Sequence, residues 1–195
     1  MSVVPKPKLT EAEYLAIEEK AEFKSEFYRG DMFAMSGASL PHSRIKDNIA
    51  RHLNNQWDVG PCFAVTSDLK VKVNRTGLYT YPDVVVVCGE PEYSAGRTDV
   101  ILNPSVVVEV LSPSTEKYDR GVKFRQYQRV PSVQEILLVA QDEPVVERFT
   151  RQPDGKWLLT TVDRLEDEIA FESVPARLRL ADIYAGVTFP ETPER

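Results

Sequence analysis

Two short apolar runs dominate the pattern of hydrophobic and polar positions along the chain. The first covers residues 82–87 (PDVVVV) and the second covers residues 106–111 (VVVEVL). Short runs that are rich in β-branched residues and bounded by Pro, Gly and Asn are typical of strands buried on both faces of a sheet. A similar apolar run over residues 134–139 predicts another strand of this kind.

Helical spacing of apolar residues predicts two longer helices and one short one. The clearest helix covers residues 42–57, where apolar side chains recur along one face before a Gly-Pro pair. Another is predicted over residues 119–130, with Asp119 as its N-cap. Near the N-terminus, Thr10 and Glu13 have the spacing of a capping box and predict the start of a short helix.

Alternating segments bounded by turn residues predict the remaining strands. One strand is expected over residues 62–73 and the next over residues 79–87. Hairpins are expected over residues 23–35 and 145–162, which contain Arg-Gly-Asp and Pro-Asp-Gly turns. The polar stretch over residues 89–104 is expected to form a loop.

These elements predict an α/β (α+β) fold with a central mixed β-sheet flanked by helices and with extra β-hairpins. The length of 195 residues suits one domain with a sizeable core. We therefore expect a single domain over residues 1–195, whose core covers about 42–140. An N-terminal helix and hairpin over 9–36 and a C-terminal β extension over 144–185 complete this prediction.

Composition predicts a cytoplasmic protein without a membrane anchor. Hydrophobic residues make up 42% of the chain and charged residues 28%, which is ordinary for a soluble protein. No stretch approaches the roughly 20 apolar residues of a membrane helix, and the N-terminal segment lacks the apolar core of a signal peptide. The two cysteines, Cys62 and Cys88, are expected to be buried reduced thiols.

The charge distribution gives two opposing indications about nucleic acid. The formal net charge of −6 is unlike the basic face of a general nucleic-acid binder. Residues 117–129, however, carry five basic side chains against a single acidic one, Asp119. This segment is expected either to contact phosphates or to form the solvated face of a helix.

Acidic residues inside the apolar runs are the strongest candidates for chemistry. Asp83 opens the first run, and Glu109 lies within the second on the same face as Val107 and Leu111. A buried carboxylate without a partner is costly, and a bound cation removes that cost. Lys123 falls in the first turns of the helix that follows Glu109. Two carboxylates and a lysine are thus expected to converge, as in a magnesium-dependent phosphodiesterase.

The order of these motifs resembles the PD-(D/E)XK nuclease superfamily. More closely, the chain is similar to the bacterial Uma-type family of "putative restriction endonucleases". The resemblance rests on the stretches SDLKVKV, GLYTYPDVVVVCGEP, NPSVVVEVLSPSTEKYDRGVKFRQYQ and VPSVQEILLV, which span about residues 62–140. It implies a restriction-endonuclease-like core and an activity on nucleic acid.

The resemblance also implies roles for individual residues. Asp83 and Glu109 match the two acids of the superfamily pattern, and the implied cofactor is Mg²⁺ or Mn²⁺. Leu111 stands where the pattern has its lysine, and the family resemblance suggests that Lys123 on the following helix replaces it. Glu26, in the stretch KSEFYRGD, is implied as a further metal ligand beside the two acids.

Each candidate also has a structural interpretation. Asp83 could simply open a strand after a proline, and Glu109 could pair with a buried lysine. Lys72 is a second candidate for the missing lysine. His42 is expected to cap or pack the 42–57 helix rather than to take part in catalysis, and Tyr127 is expected either in the core or against a phosphate.

The leading hypothesis is a metal-dependent endonuclease that hydrolyses DNA phosphodiester bonds. The alternative is a non-catalytic nuclease-fold module for dimerisation or nucleic-acid binding, which Leu111 and the acidic net charge favour. A homodimer is expected because duplex cutting needs two sites or two visits. The 145–162 hairpin also carries an apolar face for such a contact, formed by Val145, Phe149, Trp157 and Leu159.

Overall fold

The computed structural model describes residues 7–35, 37–57 and 60–190. Both ends of the predicted 1–195 domain lie outside these residues, and the division into core and extensions stays a prediction. None of the helices in the described part of the chain is long and apolar enough to cross a membrane. In chain order the elements are α1 Glu11–Glu18, β1 Ser25–Tyr28, β2 Asp31–Ala34, α2 Leu40–Asn54, β3 Cys62–Thr66, β4 Lys70–Val73, β5 Leu78–Thr80, β6 Val84–Cys88, β7 Val100–Ile101, β8 Val106–Leu111, α3 Glu116–Tyr118, a π-helical turn Asp119–Lys123, α4 Phe124–Tyr127, β9 Glu135–Ala140, β10 Val146–Arg151, β11 Trp157–Val162, β12 Glu168–Ala170, β13 Arg177–Arg179 and α5 Leu180–Ile183.

The central sheet has six strands in the order β11-β10-β9-β8-β6-β3. The β8–β9 pair is parallel and the other pairs are antiparallel, so the sheet is mixed, as predicted. Apolar residues of α2, β12, β13 and α5 pack on one face of this sheet. The other face is covered by a second apolar cluster that includes Tyr127, Val130 and Val133. Burial on both faces explains why β6, β8 and β9 are continuous apolar runs.

A second sheet of five strands has the order β2-β1-β5-β4-β7. Its β1–β2 pair is the predicted N-terminal hairpin. Tyr14 of α1 packs against Phe27 and Tyr79 of this sheet. The apolar side chains of Val71 and Ile101 meet those of Val85 and Val87 in a cluster that joins the two sheets.

The predicted single strands over 62–73 and 79–87 are wrong, because each breaks into two. β3 and β6 pair in the six-stranded sheet, whereas β4 and β5 pair in the five-stranded sheet. Pro82 stands at one break, where its missing N–H cannot continue a ladder. The partner strand must bend with it, and it does so over residues 67–69. The bend leaves Asp83 immediately before β6.

Side-chain N-caps begin α1 and α2, whereas the helical segment that starts at Glu116 has no side-chain cap. Thr10 and Glu13 form the predicted capping box of α1. The 42–57 prediction corresponds to α2, whose N-cap is Ser39. The prediction that Asp119 caps its helix is wrong, because the helical segment already begins at Glu116 with Thr115 at the N-cap position. Asp119 instead opens the π-helical turn, inside the helical segment.

The expectation of two reduced thiols is also wrong. Cys62 and Cys88 are directly opposite each other on β3 and β6, and they form a disulfide bond. The prediction failed because the two cysteines are 26 residues apart and only strand pairing brings them together. Disulfides are typical of oxidising compartments, so cysteine usage does not support the cytoplasmic location, which stays a prediction.

Candidate active site

The register of the central sheet brings Asp83 and Glu109 together. In the antiparallel pairing of β6 and β8, Val84 is opposite Val108. One further step of this register sets Asp83 beside Glu109, and opposite residues of an antiparallel pair point to the same face. Asp83 Oδ2 accepts a 2.8 Å hydrogen bond from the backbone N–H of Val110, which fixes the aspartate against the neighbouring strand.

Glu109 is almost inaccessible to solvent although it is an acid. It lies on the same face of β8 as the apolar cluster around Tyr127, and only 2% of its surface is exposed. Tyr127 Oη donates a hydrogen bond to Glu109 Oε1. Burial raises the pKa of Glu109 well above its usual value, an effect that Lys123 opposes and nearby carboxylates reinforce.

Lys123 lies in a cage of three carboxylates. Its Nζ is 3.0 Å from Glu26 Oε1 and 3.2 Å from Glu109 Oε1. The same atom is 3.5 Å from Asp119 Oδ1. Burial by itself lowers the pKa of Lys123, but the surrounding carboxylates outweigh burial and hold the pKa well above its usual value. The lysine is therefore an ammonium at neutral pH.

The π-helical turn places two of these side chains. Asp119 and Lys123 are its first and last residues, and both are buried. Both therefore face the end of β8 rather than solvent. Wide turns of this kind occur mostly as single turns within α-helices and are frequent at functional sites. The turn lies within residues 117–129, for which the sequence left open a solvated helix face or a contact with phosphates.

The cage carries more negative charge than its lysine can balance. Three carboxylates against one ammonium leave two excess negative charges when every carboxyl is ionised. Burial raises the pKa of Asp119 as well as that of Glu109, although Lys123 opposes both shifts. A divalent cation beside the cage removes this excess, so the electrostatics favour cation binding.

A magnesium or manganese ion fits two of the three predicted ligands. Within residues 7–35, 37–57 and 60–190, no group of three or more His, Cys, Asp or Glu side chains is arranged to hold a metal. Mg²⁺, however, is commonly bound by one or two carboxylates and keeps several waters. Asp83 and Glu109 supply such a pair. The contacts from Tyr127 and Lys123 reach Glu109 Oε1, which leaves Oε2 as the freer oxygen.

Glu26, the third predicted ligand, is held by other groups in the structure. Its Oε1 accepts a hydrogen bond from Thr80 Oγ1 and lies 3.0 Å from Lys123 Nζ. Glu26 therefore positions the lysine in the geometry observed. A role for Glu26 as a metal ligand stays a prediction.

His42 belongs to the site, which the sequence interpretation did not expect. Its Nε2 lies 3.1 Å from Asp83 Oδ2, and its buried Nδ1 has no hydrogen-bond partner among the described residues. The prediction that it caps the helix is wrong, because the Ser39 side chain accepts the backbone N–H of His42. The sequence did contain a signal for this placement. His42 shares the buried face of α2 with Ile45 and Ile49, where a polar residue needs a partner.

Lys72, the second candidate for the missing lysine, lies outside the site, and so does Lys70 of the same strand. Lys72 Nζ is 2.8 Å from Glu11 Oε2 and stacks over the ring of Tyr79. Lys70 Nζ is 2.7 Å from Asp99 Oδ2. Lys123 is accordingly the lysine of this group that contacts Glu109.

The acids and the lysine open into one pocket with a volume of about 790 Å³. Asp83, Glu109, Lys123 and His42 all line it. Its wall also includes the turn over residues 112–115 and parts of the segment over 22–39. The geometry thus combines a carboxylate pair, a buried cation and a cavity wide enough for part of a substrate.

Comparison with known proteins shows the family to which this chain belongs. The sequence model of the Uma2 family, described as "Putative restriction endonuclease", matches residues 11–182. The chain belongs to the Uma2 family. The matched range includes Asp83, Glu109 and Lys123. The family resemblance stated from the sequence motifs is therefore confirmed.

Individual relatives of this Uma2 protein cover nearly its whole length. The uncharacterized protein slr1290 of Synechocystis sp. (strain PCC 6803) is 38% identical over 185 residues, which is 95% of this chain and 96% of the relative. A second uncharacterized protein of that strain, sll1609, is 37% identical over 168 residues, which is 84% of this chain and 92% of the relative.

A solved structure shares the fold. The crystal structure of "a putative nuclease belonging to DUF820" from Anabaena variabilis ATCC 29413 matches with a TM-score of 0.75. The match covers 92% of this chain and 99% of that chain, at 17% sequence identity. At this identity the likeness concerns the fold alone, and it confirms the predicted fold class.

Proposed function

We propose that this Uma2 protein is a metal-dependent endonuclease that hydrolyses DNA phosphodiester bonds. One observation carries the proposal: Asp83 and Glu109 lie side by side in a pocket that also contains the Lys123 ammonium. Carboxylates for a cation and a fixed positive charge beside them are what phosphodiester hydrolysis requires. The description of the family supports the same class of reaction.

The residues of the site have separate roles in this proposal. Asp83 and Glu109 would hold Mg²⁺ or Mn²⁺, which would polarise a phosphoryl oxygen and lower the pKa of a coordinated water. Lys123 stabilises negative charge that develops on the phosphate. Tyr127 orients Glu109 through its hydrogen bond to Oε1. His42, 3.1 Å from Asp83 Oδ2, is placed to hold or move a proton at that oxygen.

Incubation of the purified protein with DNA tests the activity directly. Supercoiled plasmid, linear duplex and single-stranded DNA are each incubated with Mg²⁺ or Mn²⁺, beside Glu109→Gln as the matched inactive control. We expect cleavage by the wild-type protein that chelation of the metal abolishes. Equal rates for wild type and Glu109→Gln on every substrate would contradict the proposal.

A non-catalytic module is the second candidate, and one observation favours it. The contacts of Lys123 with Glu26, Glu109 and Asp119 form a closed buried ion cluster that could serve structure alone. Buried ion clusters, however, contribute little stability relative to apolar residues of similar size. Stability alone therefore does not explain why the cluster lies next to Asp83 and opens into a pocket. Nucleic-acid binding without any cleavage would support the module.

Metal binding can be measured without substrate. We expect titration of the wild-type protein with Mn²⁺ to release heat, and Asp83→Asn to release little, because the variant loses one of two carboxylate ligands. Binding should tighten as the pH rises, since Glu109 and Asp119 have raised pKa values and a cation competes with their protons. Asp182→Asn, at a surface pair with Arg179, is the control that keeps the wild-type heat. Equal heats in wild type and Asp83→Asn would refute this assignment of the ligands.

We also propose that the protein is a homodimer. The two copies would meet through the edge strand β11 rather than through the whole apolar face predicted for the 145–162 hairpin. Phe149 and Trp157 of that face pack against Phe124, with ring centroids 4.5 and 6.5 Å away. Leu158 and Leu159 remain 52% and 47% exposed on β11, which is an edge of the six-stranded sheet. An uncharged edge strand with exposed apolar residues can pair with a second copy.

Light scattering tests the dimer. We expect a mass of twice the 22.1 kDa chain at micromolar concentration, and a shift to the monomer in Leu159→Lys because charge on an edge strand opposes pairing. Leu165→Lys alters a residue that is 42% exposed outside the strand, and this control should stay dimeric. A monomeric wild type would rule the dimer out.

A further inference from the structure

Two phenylalanines line the active-site pocket, and both are exposed to solvent. Phe23 is 77% exposed and Phe33 is 47% exposed, and both line the cavity that contains Asp83 and Glu109. Single exposed apolar residues are ordinary on a protein surface. Two aromatic rings in the same pocket as a carboxylate pair are not explained by folding, because neither belongs to a buried apolar cluster of the described residues.

Strand pairing places one of these rings beside the carboxylate cage. Phe33 of β2 is directly opposite Glu26 of β1, so the two side chains lie on the same face of the hairpin. Glu26 in turn lies 3.0 Å from Lys123 Nζ, which is 3.2 Å from Glu109. If a phosphate of the substrate is bound at Asp83 and Glu109, the nucleobase next to it would lie within reach of the ring of Phe33.

The charge of the pocket does not suit a long duplex. Duplex binding relies on a track of basic side chains that contact many phosphates. The basic residues that line this pocket are Lys24, Lys46 and Lys123 among those the structure describes. Lys24 pairs with Asp68, and Lys123 is inside its cage. With a net charge of −6, affinity must come mainly from the metal and from contacts that are not ionic.

We propose that Phe23 and Phe33 stack unpaired nucleobases next to the phosphate to be cleaved, so that the substrate is a single strand or carries an unpaired stretch. This inference rests on the proposed nuclease function and names its substrate class. Stacking on aromatic side chains tolerates any base, because every base has a π-face, and it requires that the base be free of its partner. Base pairs in a continuous duplex keep those faces covered.

Binding measured by fluorescence anisotropy tests stacking without cleavage. Short labelled single strands and a duplex of the same sequence are titrated with protein, and Ca²⁺ replaces Mg²⁺ because its flexible coordination differs from the octahedral geometry of Mg²⁺. We expect the single strand to bind more tightly than the duplex. Phe33→Leu and Phe23→Leu should each weaken single-strand binding by at least about 5-fold. Phe33→Trp, which keeps an aromatic ring, should bind the single strand about as tightly as wild type. Leu165→Ala, at an exposed position outside the pocket and outside β11, should also bind as wild type does.

The outcomes separate the stacking proposal from the nuclease proposal. Wild-type binding by Phe33→Leu, equal loss of single-strand and duplex binding, or preference for the duplex would overturn stacking, whether or not DNA is cut. Phenylalanine-dependent binding with no cleavage above Glu109→Gln would support stacking and refute the nuclease activity. Parallel titrations with DNA and RNA strands decide which sugar the site accepts. Because both rings are exposed, the variants should keep the wild-type melting temperature, which confirms that they fold.

Discussion

Glu109→Gln should lower DNA cleavage by about 10³-fold or more without making the metal-free protein less stable at pH 8. Several kcal/mol of transition-state stabilisation depend on the metal, and the substitution removes one of its two carboxylate ligands. Glutamine keeps an oxygen for the hydrogen bond from Tyr127 and removes one charge from a cage with two in excess. A loss of activity without a loss of stability is characteristic of a residue selected for function.

The difference in stability between wild type and Glu109→Gln should depend on pH. The folded pKa of Glu109 lies well above its usual value of 4.5. Its favourable contribution to folding is therefore complete below pH 4.5 and is lost as the pH rises through the folded pKa. As the pH rises from 4.5 through the folded pKa of Glu109, wild type should lose stability relative to Glu109→Gln. Urea denaturation of wild type and Glu109→Gln at a series of pH values above 4.5 measures the difference in their free energies of unfolding. If Glu109→Gln instead becomes less stable relative to wild type as the pH rises, the interpretation of Glu109 as a buried charge is contradicted.

Lys123→Met should be the most destabilising single change at the site. It leaves Glu26, Glu109 and Asp119 buried without their cation, and removal of one partner from a buried charge pair typically costs about 3–5 kcal/mol. The loss should shrink toward pH 4.5, because Glu109 and Asp119, whose pKa values are raised, take up protons instead. Below its melting temperature, the variant should also cleave roughly 10²- to 10³-fold more slowly than wild type, because a fixed charge is lost.

Divalent metal should partly rescue Lys123→Met. A cation that binds the folded state alone raises stability by mass action, and the variant presents more uncompensated charge than wild type. We therefore expect Mn²⁺ to raise the melting temperature of Lys123→Met more than that of wild type. Lys72→Met is the matched control, since the Glu11 that it leaves behind is partly exposed and still accepts a hydrogen bond from Tyr79. Equal melting temperatures for the two lysine variants would show that the cage does not govern stability.

The sequence by itself determined the parts of this protein that depend on short-range pattern. The apolar runs around Asp83 and Glu109 predicted doubly buried strands, because alternation is lost only where both faces of a sheet are covered. The capping box at Thr10 and the apolar spacing of α2 likewise predicted helices that the structure contains. In each case the determining contacts are local or are set by a repeating period along one element.

The tertiary structure alone decided which side chains meet. Cys62 and Cys88, His42 and Asp83, and Glu26 and Lys123 are each brought together by strand pairing or helix packing across long stretches of chain. Asp119 had the composition of a helix cap, but the helical segment starts earlier and its π-helical turn directs the carboxylate inward. Local propensity is worth fractions of a kcal/mol per residue, whereas burial of an apolar side chain is worth roughly 1.5–3 kcal/mol, so packing sets the site geometry.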